Sequence, residues 1–135
     1  MKKSVWSVVA GVVFIIVVTT LVDIALHLAR VYPAMGEALD DPLAALATAY
    51  RIVIGIAGAW LTAWLAPRKP MKHAMILGLV GTLLGLVGVA VTWGKGLGPD
   101  WYPIALAVLA FPQSWVGGRL YELWSSRSRQ GAAGA

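Results

Sequence analysis

The chain has 135 residues, of which 59% are hydrophobic and 13% charged, with a formal net charge of +5 and no cysteine. Soluble domains carry about 25% charged residues, and a soluble fold of this length cannot bury so much apolar surface, so a soluble domain and a disordered chain are both excluded. The lack of cysteine excludes disulfides, thiol catalysis and thiolate metal sites. The composition therefore predicts an integral membrane protein.

Four apolar segments, each close to the length that crosses a bilayer, predict four membrane helices. We expect these helices at residues 5–29, 42–66, 73–94 and 101–124, followed by a disordered basic tail over 125–135. Glycine and proline separate the segments, and none of them alternates apolar and polar residues as a strand does. The expected fold is all-α, a four-transmembrane-helix antiparallel bundle with left-handed packing in a single domain over residues 1–124.

The distribution of charge predicts which side of the membrane each loop occupies. In a chain that crosses four times, one side receives most of the basic residues: Lys2, Lys3, Arg68, Lys69, Lys72, Arg119, Arg127 and Arg129. The opposite side receives four acids: Glu37, Asp40, Asp41 and Asp100. Both termini are therefore expected in the cytoplasm. The basic net charge is explained by this orientation, so we expect the lipid bilayer as a partner and no nucleic acid.

Three of the predicted helices carry small residues at alternating steps of three and four, the heptad spacing of a left-handed helix pair. Small residues allow two backbones to approach closely, which is the main source of helix packing in lipid. The expected packing residues are Gly55, Gly58, Gly78, Gly81, Gly85, Gly88, Ser114 and Gly117. The pattern leaves open whether each stripe packs inside the chain or whether one forms a homodimer or larger homo-oligomer.

A group of polar residues is expected inside the membrane, centred on one acid and one base. Asp23 of the first helix and Arg51 of the second fall at similar depths. A lone ion there costs about 2.5–3.5 kcal/mol, so the two side chains are predicted to pair. Near the middle of the fourth helix, Gln113 beside Pro112 either lines a polar cavity or belongs to an ordinary proline kink. The predicted intramembrane site comprises Thr20, Asp23, His27, Tyr50, Arg51 and Gln113.

Two functions of this polar site remain open. The preferred one is a non-enzymatic structural, accessory or interaction protein, in which the Asp23–Arg51 pair only locks the first helix to the second. The alternative is a proton- or ion-coupled transporter or channel for a small solute, working as a homo-oligomer. A cavity that reaches both side chains favours transport, whereas a sealed bundle favours the lock.

Neither enzymatic activity nor a cofactor is expected. The sequence contains no His-Glu-x-x-His, P-loop or Gly-x-Ser-x-Gly motif. His27 and His73 fall near opposite faces of the membrane, so they cannot bind one metal ion together, and no metal site is predicted. The substrate, if there is one, is not identified by these residues.

The chain resembles a loose group of small, uncharacterised four-helix bacterial integral membrane proteins. The residues that carry the resemblance are Thr20–His27, Ala47–Arg51, Ala66–Gly78, Trp101–Pro103 and Gly117–Glu122. The resemblance implies a multi-pass protein of the bacterial inner membrane and implies no particular activity. In size and span count the chain is also similar to small multidrug-resistance transporters, whose first helix carries a carboxylate for which proton and drug compete. Here the acid of the first helix, Asp23, lies further outward and has Arg51 as its predicted partner.

Overall fold

The computed structural model describes residues 2–34, 37–96 and 98–134, and within these ranges it contains four α-helices and no strand. Helix α1 spans Lys2–Leu28, α2 Asp41–Leu65, α3 Pro70–Thr92 and α4 Trp101–Gly134. The all-α prediction is confirmed. Among the described residues three helices, α1, α2 and α3, are long and apolar enough to cross a membrane. The helix α4, which carries Pro112 and Gln113 near the centre of its predicted span, is not among them.

The helix ends differ in detail from the predicted ones. Helix α2 begins one residue early, because the Asp40 carboxylate caps it by accepting a hydrogen bond from the Leu43 amide at 3.0 Å. Helix α3 begins at Pro70 rather than at residue 73, since proline fits the first helical position, where no amide hydrogen is needed. Helix α4 continues through residues 125–134, where the sequence predicted a disordered tail. No glycine or proline interrupts residues 119–130, and extending an existing helix is easier than starting one.

Small residues of α3 lie directly against α4. Successive glycines of α3 at 78, 81 and 85 contact successively earlier residues of α4, in the order Ser114, Ala110 and Ala107. A Cβ atom added at Gly85 would lie 2.6 Å from the Cα atom of Ala107, so only glycine fits there without a shift. Gly88 was predicted to belong to the same stripe, but its Cβ position has no atom within 4 Å. At this level two cavities, each bordered by Pro103 and Leu106, lie beside Gly88, which is why no atom lies near its Cβ position.

Helix α2 contacts α1 on one side and α4 on another. Gly55 lies against the side chain of Gln113 and Gly58 against Ile15 of α1. On α4, Gly117 lies against the backbone of α2 at Ile56. In the ranges that the structure describes, no Cα atom of α1 lies within 8 Å of one of α4. A groove therefore remains between these two helices, with α3 behind it.

Large apolar side chains cover the outside of the helices. Only Ser7, Gly11 and Thr19 are buried on α1, and its exposed apolar residues are Val5, Trp6, Val9, Val13, Ile16, Val17, Leu21, Ile24 and Leu28. Helices α2, α3 and α4 also expose large apolar side chains. An apolar surface of this extent is covered by lipid or a partner rather than by water.

Candidate functional site

The structure places the two predicted intramembrane charges in contact. The Nη2 atom of Arg51 donates to Oδ2 of Asp23 at 2.8 Å. The hydroxyl of Tyr50 donates to Oδ1 of the same carboxylate. Residues of α2 thus hold both oxygens of an acid on α1, which links the two helices through a charged pair and a phenol. The side chains of Arg51 and Asp23 nevertheless keep 31% and 28% of their surface exposed.

The loop after α1 turns back over this pair. Tyr32 is only 7% exposed, and its hydroxyl is 2.7 Å from the Tyr50 hydroxyl. The amides of Val31 and Tyr32 both donate to the Leu26 carbonyl, and Arg30 takes a positive φ of 60° to make the turn. Burial raises the pKa of the Tyr32 hydroxyl, so this group stays protonated and neutral. Sequence reasoning missed Tyr32, because its place depends on a turn that no residue type in the loop signals.

Of the other predicted residues of α1, one belongs to the site and one does not. The Nδ1 atom of His27 donates to the backbone carbonyl of Asp23 at 2.8 Å, and its ring packs edge-on against Tyr32. Thr20 is exposed and borders neither of the two cavities described next, so its assignment to the site is corrected. The buried face of α1 passes through Thr19 instead, and the following residue points about 100° away around the helix.

A first cavity, of about 220 Å³, lies under the loop between α1 and α2, and we call it the loop-side cavity. Its polar lining includes both members of the ion pair, and its titratable residues are Asp23, His27, Tyr32, Glu37, Tyr50, Arg51 and Tyr102. The ion pair is therefore reached from the side of the loop and is not sealed in the bundle. Tyr102, at the start of α4, is a second lining residue that the sequence did not assign to the site.

A second cavity, of about 320 Å³, fills the space between α1, α3 and α4, and we call it the helix groove. Its walls are mainly apolar, with Ile16, Leu84 and Leu106 on the three helices. Its polar lining residues are Thr19, Arg51, Gln113 and Ser114. The structure thus brings Gln113 to the helix groove and not to the loop-side cavity. Arg51 borders both cavities and stands between them.

No metal site accompanies this arrangement: across residues 2–34, 37–96 and 98–134, no three His, Asp or Glu side chains converge as they do around an ion. Comparisons of the chain with protein-family models, with curated proteins and with solved structures find no match. The chemistry of the site therefore rests on its own geometry, which offers an ion pair, three tyrosine hydroxyls and one histidine beside two cavities of different polarity.

Proposed function

We propose that this chain is a small proton-coupled transporter of the bacterial inner membrane, with Asp23 as its proton site and Arg51 as its solute site. The observation that carries the proposal is the loop-side cavity, which brings about 220 Å³ of open space to both charged side chains. Ionisable residues inside a membrane bundle mark ion and solute pathways when they face a cavity. A pair that served only as a lock has no need of such an opening.

The proposal includes a four-span antiparallel bundle with both termini in the cytoplasm. Along the contacts between α3 and α4, residue numbers rise in one helix as they fall in the other. The contacts of Gly58 with Ile15 and of Arg51 with Asp23 show the same for α2 and α1. These opposite directions are what a chain needs to cross a membrane repeatedly. The polar centre of α4 faces the other helices: Gln113 lies against Gly55 of α2, and Ser114, which is only 3% exposed, lies against Gly78 of α3. The three–four spacing of the packing residues favours left-handed crossings.

The orientation predicts a specific labelling pattern. The chain has no cysteine, so a single introduced cysteine reports on its own position. We expect Glu37→Cys to react with a membrane-impermeant thiol reagent in intact spheroplasts. We expect Lys69→Cys to react only after the membrane is permeabilised, because basic loops stay in the cytoplasm. Labelling of Lys69→Cys alone in intact spheroplasts would reverse the orientation.

The geometry couples a proton to an anion in a simple way. While Asp23 is ionised, it holds Arg51 through the 2.8 Å ion pair. Once Asp23 takes up a proton, Arg51 loses its counter-charge, and an unpaired cation in a low-dielectric site is costly. An anion that binds Arg51 restores the balance, so proton and anion are bound and released together. The titratable groups that face Asp23 are His27 on α1, Tyr32 and Glu37 in the loop, Tyr50 and Arg51 on α2 and Tyr102 on α4.

Transport is tested with purified protein in sealed lipid vesicles. We expect vesicles that contain the protein to accumulate a radiolabelled carboxylate when the outside is made acidic, and to lose that uptake when an ionophore removes the pH gradient. Protein-free vesicles give the background from passive permeation of the neutral acid. Uptake no faster than this background, for carboxylates of several sizes, would contradict a transport function.

One observation favours a second function. Both carboxylate oxygens of Asp23 already have partners, in Tyr50 and Arg51, as expected of a structural lock between α1 and α2. In that case the chain is a structural or accessory membrane protein without an activity of its own. A folded protein that shows no uptake above background would favour this function over transport.

A further inference from the structure

We infer that the solute of this site is an anionic amphiphile, a monocarboxylate with an acyl chain, whose head binds Arg51 and whose chain lies in the helix groove. The inference rests on the proposed transport function for the movement of the solute, but the binding site stands on the helix groove itself. Two features of the groove carry it, its apolar open side and its single charged residue.

The shape of the helix groove suits an acyl chain. Its walls are apolar, and its volume of about 320 Å³ is within the range of pockets that hold small molecules. Because the Cα atoms of α1 and α4 stay more than 8 Å apart within the described residues, the groove opens between them. Ile16 and Leu84 border this opening and are 55% and 56% exposed. In a bilayer those positions face lipid, so an amphiphile enters sideways from the membrane without crossing a polar barrier.

The charge of the helix groove selects an anionic head. Arg51 is the one charged residue among those that line it, and no acid does so in the part of the chain that the structure describes. Asp23 borders the loop-side cavity and is not among the residues that line the groove. A guanidinium has five N–H donors, and among the described residues the hydrogen bond from Arg51 uses one of them, from Nη2 to Asp23. When Asp23 is protonated, Arg51 therefore has donors and an uncompensated charge for the solute's carboxylate, with Gln113 and Ser114 as neutral donors nearby.

The geometry also disfavours a cationic amphiphile in the groove. A cationic head there lies beside the Arg51 guanidinium, and two positive charges close together repel strongly in a medium of low dielectric. A neutral alcohol would gain the apolar contacts of the groove without the charged hydrogen bond. The expected order of affinity is therefore carboxylate above alcohol above quaternary amine, for chains of equal length.

The site is tested by equilibrium binding of radiolabelled decanoate to the protein in lipid nanodiscs. We expect saturable binding that unlabelled decanoate displaces and that equal concentrations of decanol or decyltrimethylammonium do not. Leu84→Trp narrows the mouth of the groove and should weaken binding about tenfold or more. The matched control is Leu83→Trp, whose position is 54% exposed on the same helix and does not border the groove, and which should bind as the wild type does.

Both exposed tryptophan variants are expected to fold, so the test does not depend on changes to the ion pair. Non-saturable binding, or equal affinity in the two variants, would overturn the site and would mean that bulk lipid or a second copy of the chain covers the groove. Displacement by decanol as effective as that by decanoate would overturn the anionic head. Saturable decanoate binding without vesicle uptake would support this binding site and contradict transport. Uptake of short carboxylates without decanoate binding would support transport and contradict this binding site.

Discussion

Asp23→Asn and Arg51→Gln are each expected to lower the free energy of unfolding by about 3 kcal/mol, the lower end of the cost for buried ion pairs, because this pair is only partly buried. Each single variant leaves one charge without its partner at 2.8 Å. The double variant removes both charges and leaves two amides that can hydrogen-bond, so it should be more stable than either single variant. Thermal unfolding of the four proteins in one detergent gives the coupling between the two positions.

An exposed pair on α4 provides the control for this cycle. Arg119 and Glu122 lie 3.3 Å apart with side chains that are 53% and 34% exposed. Exposed pairs of this kind contribute about 0–1 kcal/mol, so replacing each with glutamine should have small, additive effects. If the losses at Asp23 and Arg51 were also additive, with no recovery in the double variant, the two residues would not interact and the site would be wrong.

Gly85→Leu should be the most disruptive substitution on α3, with a loss of about 3 kcal/mol or more. A side chain there meets the backbone of Ala107, which cannot move unless the whole of α4 moves. The matched control is Gly88→Leu, the same change about one turn later on the same helix, where the Cβ position has no atom within 4 Å. That variant should unfold close to the wild-type temperature. Equal melting temperatures for the two variants would contradict the packing of α3 on α4.

The ion pair could be predicted from the sequence because the physical constraint on it is severe. A charge in hydrocarbon must find a partner, and Arg51 is the base within the apolar segments at the depth of Asp23. The glycine stripe was a weaker signal. Its spacing identifies the face of α3 that meets α4. It does not show where the two helices move apart, so it did not predict that Gly88 lies beside a cavity.

The rest of the site depends on contacts that are distant in the sequence. Tyr32 reaches Tyr50 only because the loop after α1 folds back, and Gln113 meets Gly55 only because α4 packs on α2. The helix groove is a gap between helices and the loop-side cavity a gap under a loop, and no residue pattern marks either gap. At the end of α4 the sequence predicted too little structure: a polar, basic composition predicted disorder over residues where the helix continues.

The most direct test of a transport role for Asp23 and Arg51 is carboxylate uptake by the double variant Asp23→Asn with Arg51→Gln in sealed vesicles. If the pair is the proton and solute site, the double variant recovers its unfolding temperature but shows no uptake above protein-free vesicles. If it takes up carboxylate at the wild-type rate, the pair is only a lock between α1 and α2, and the transported solute binds elsewhere.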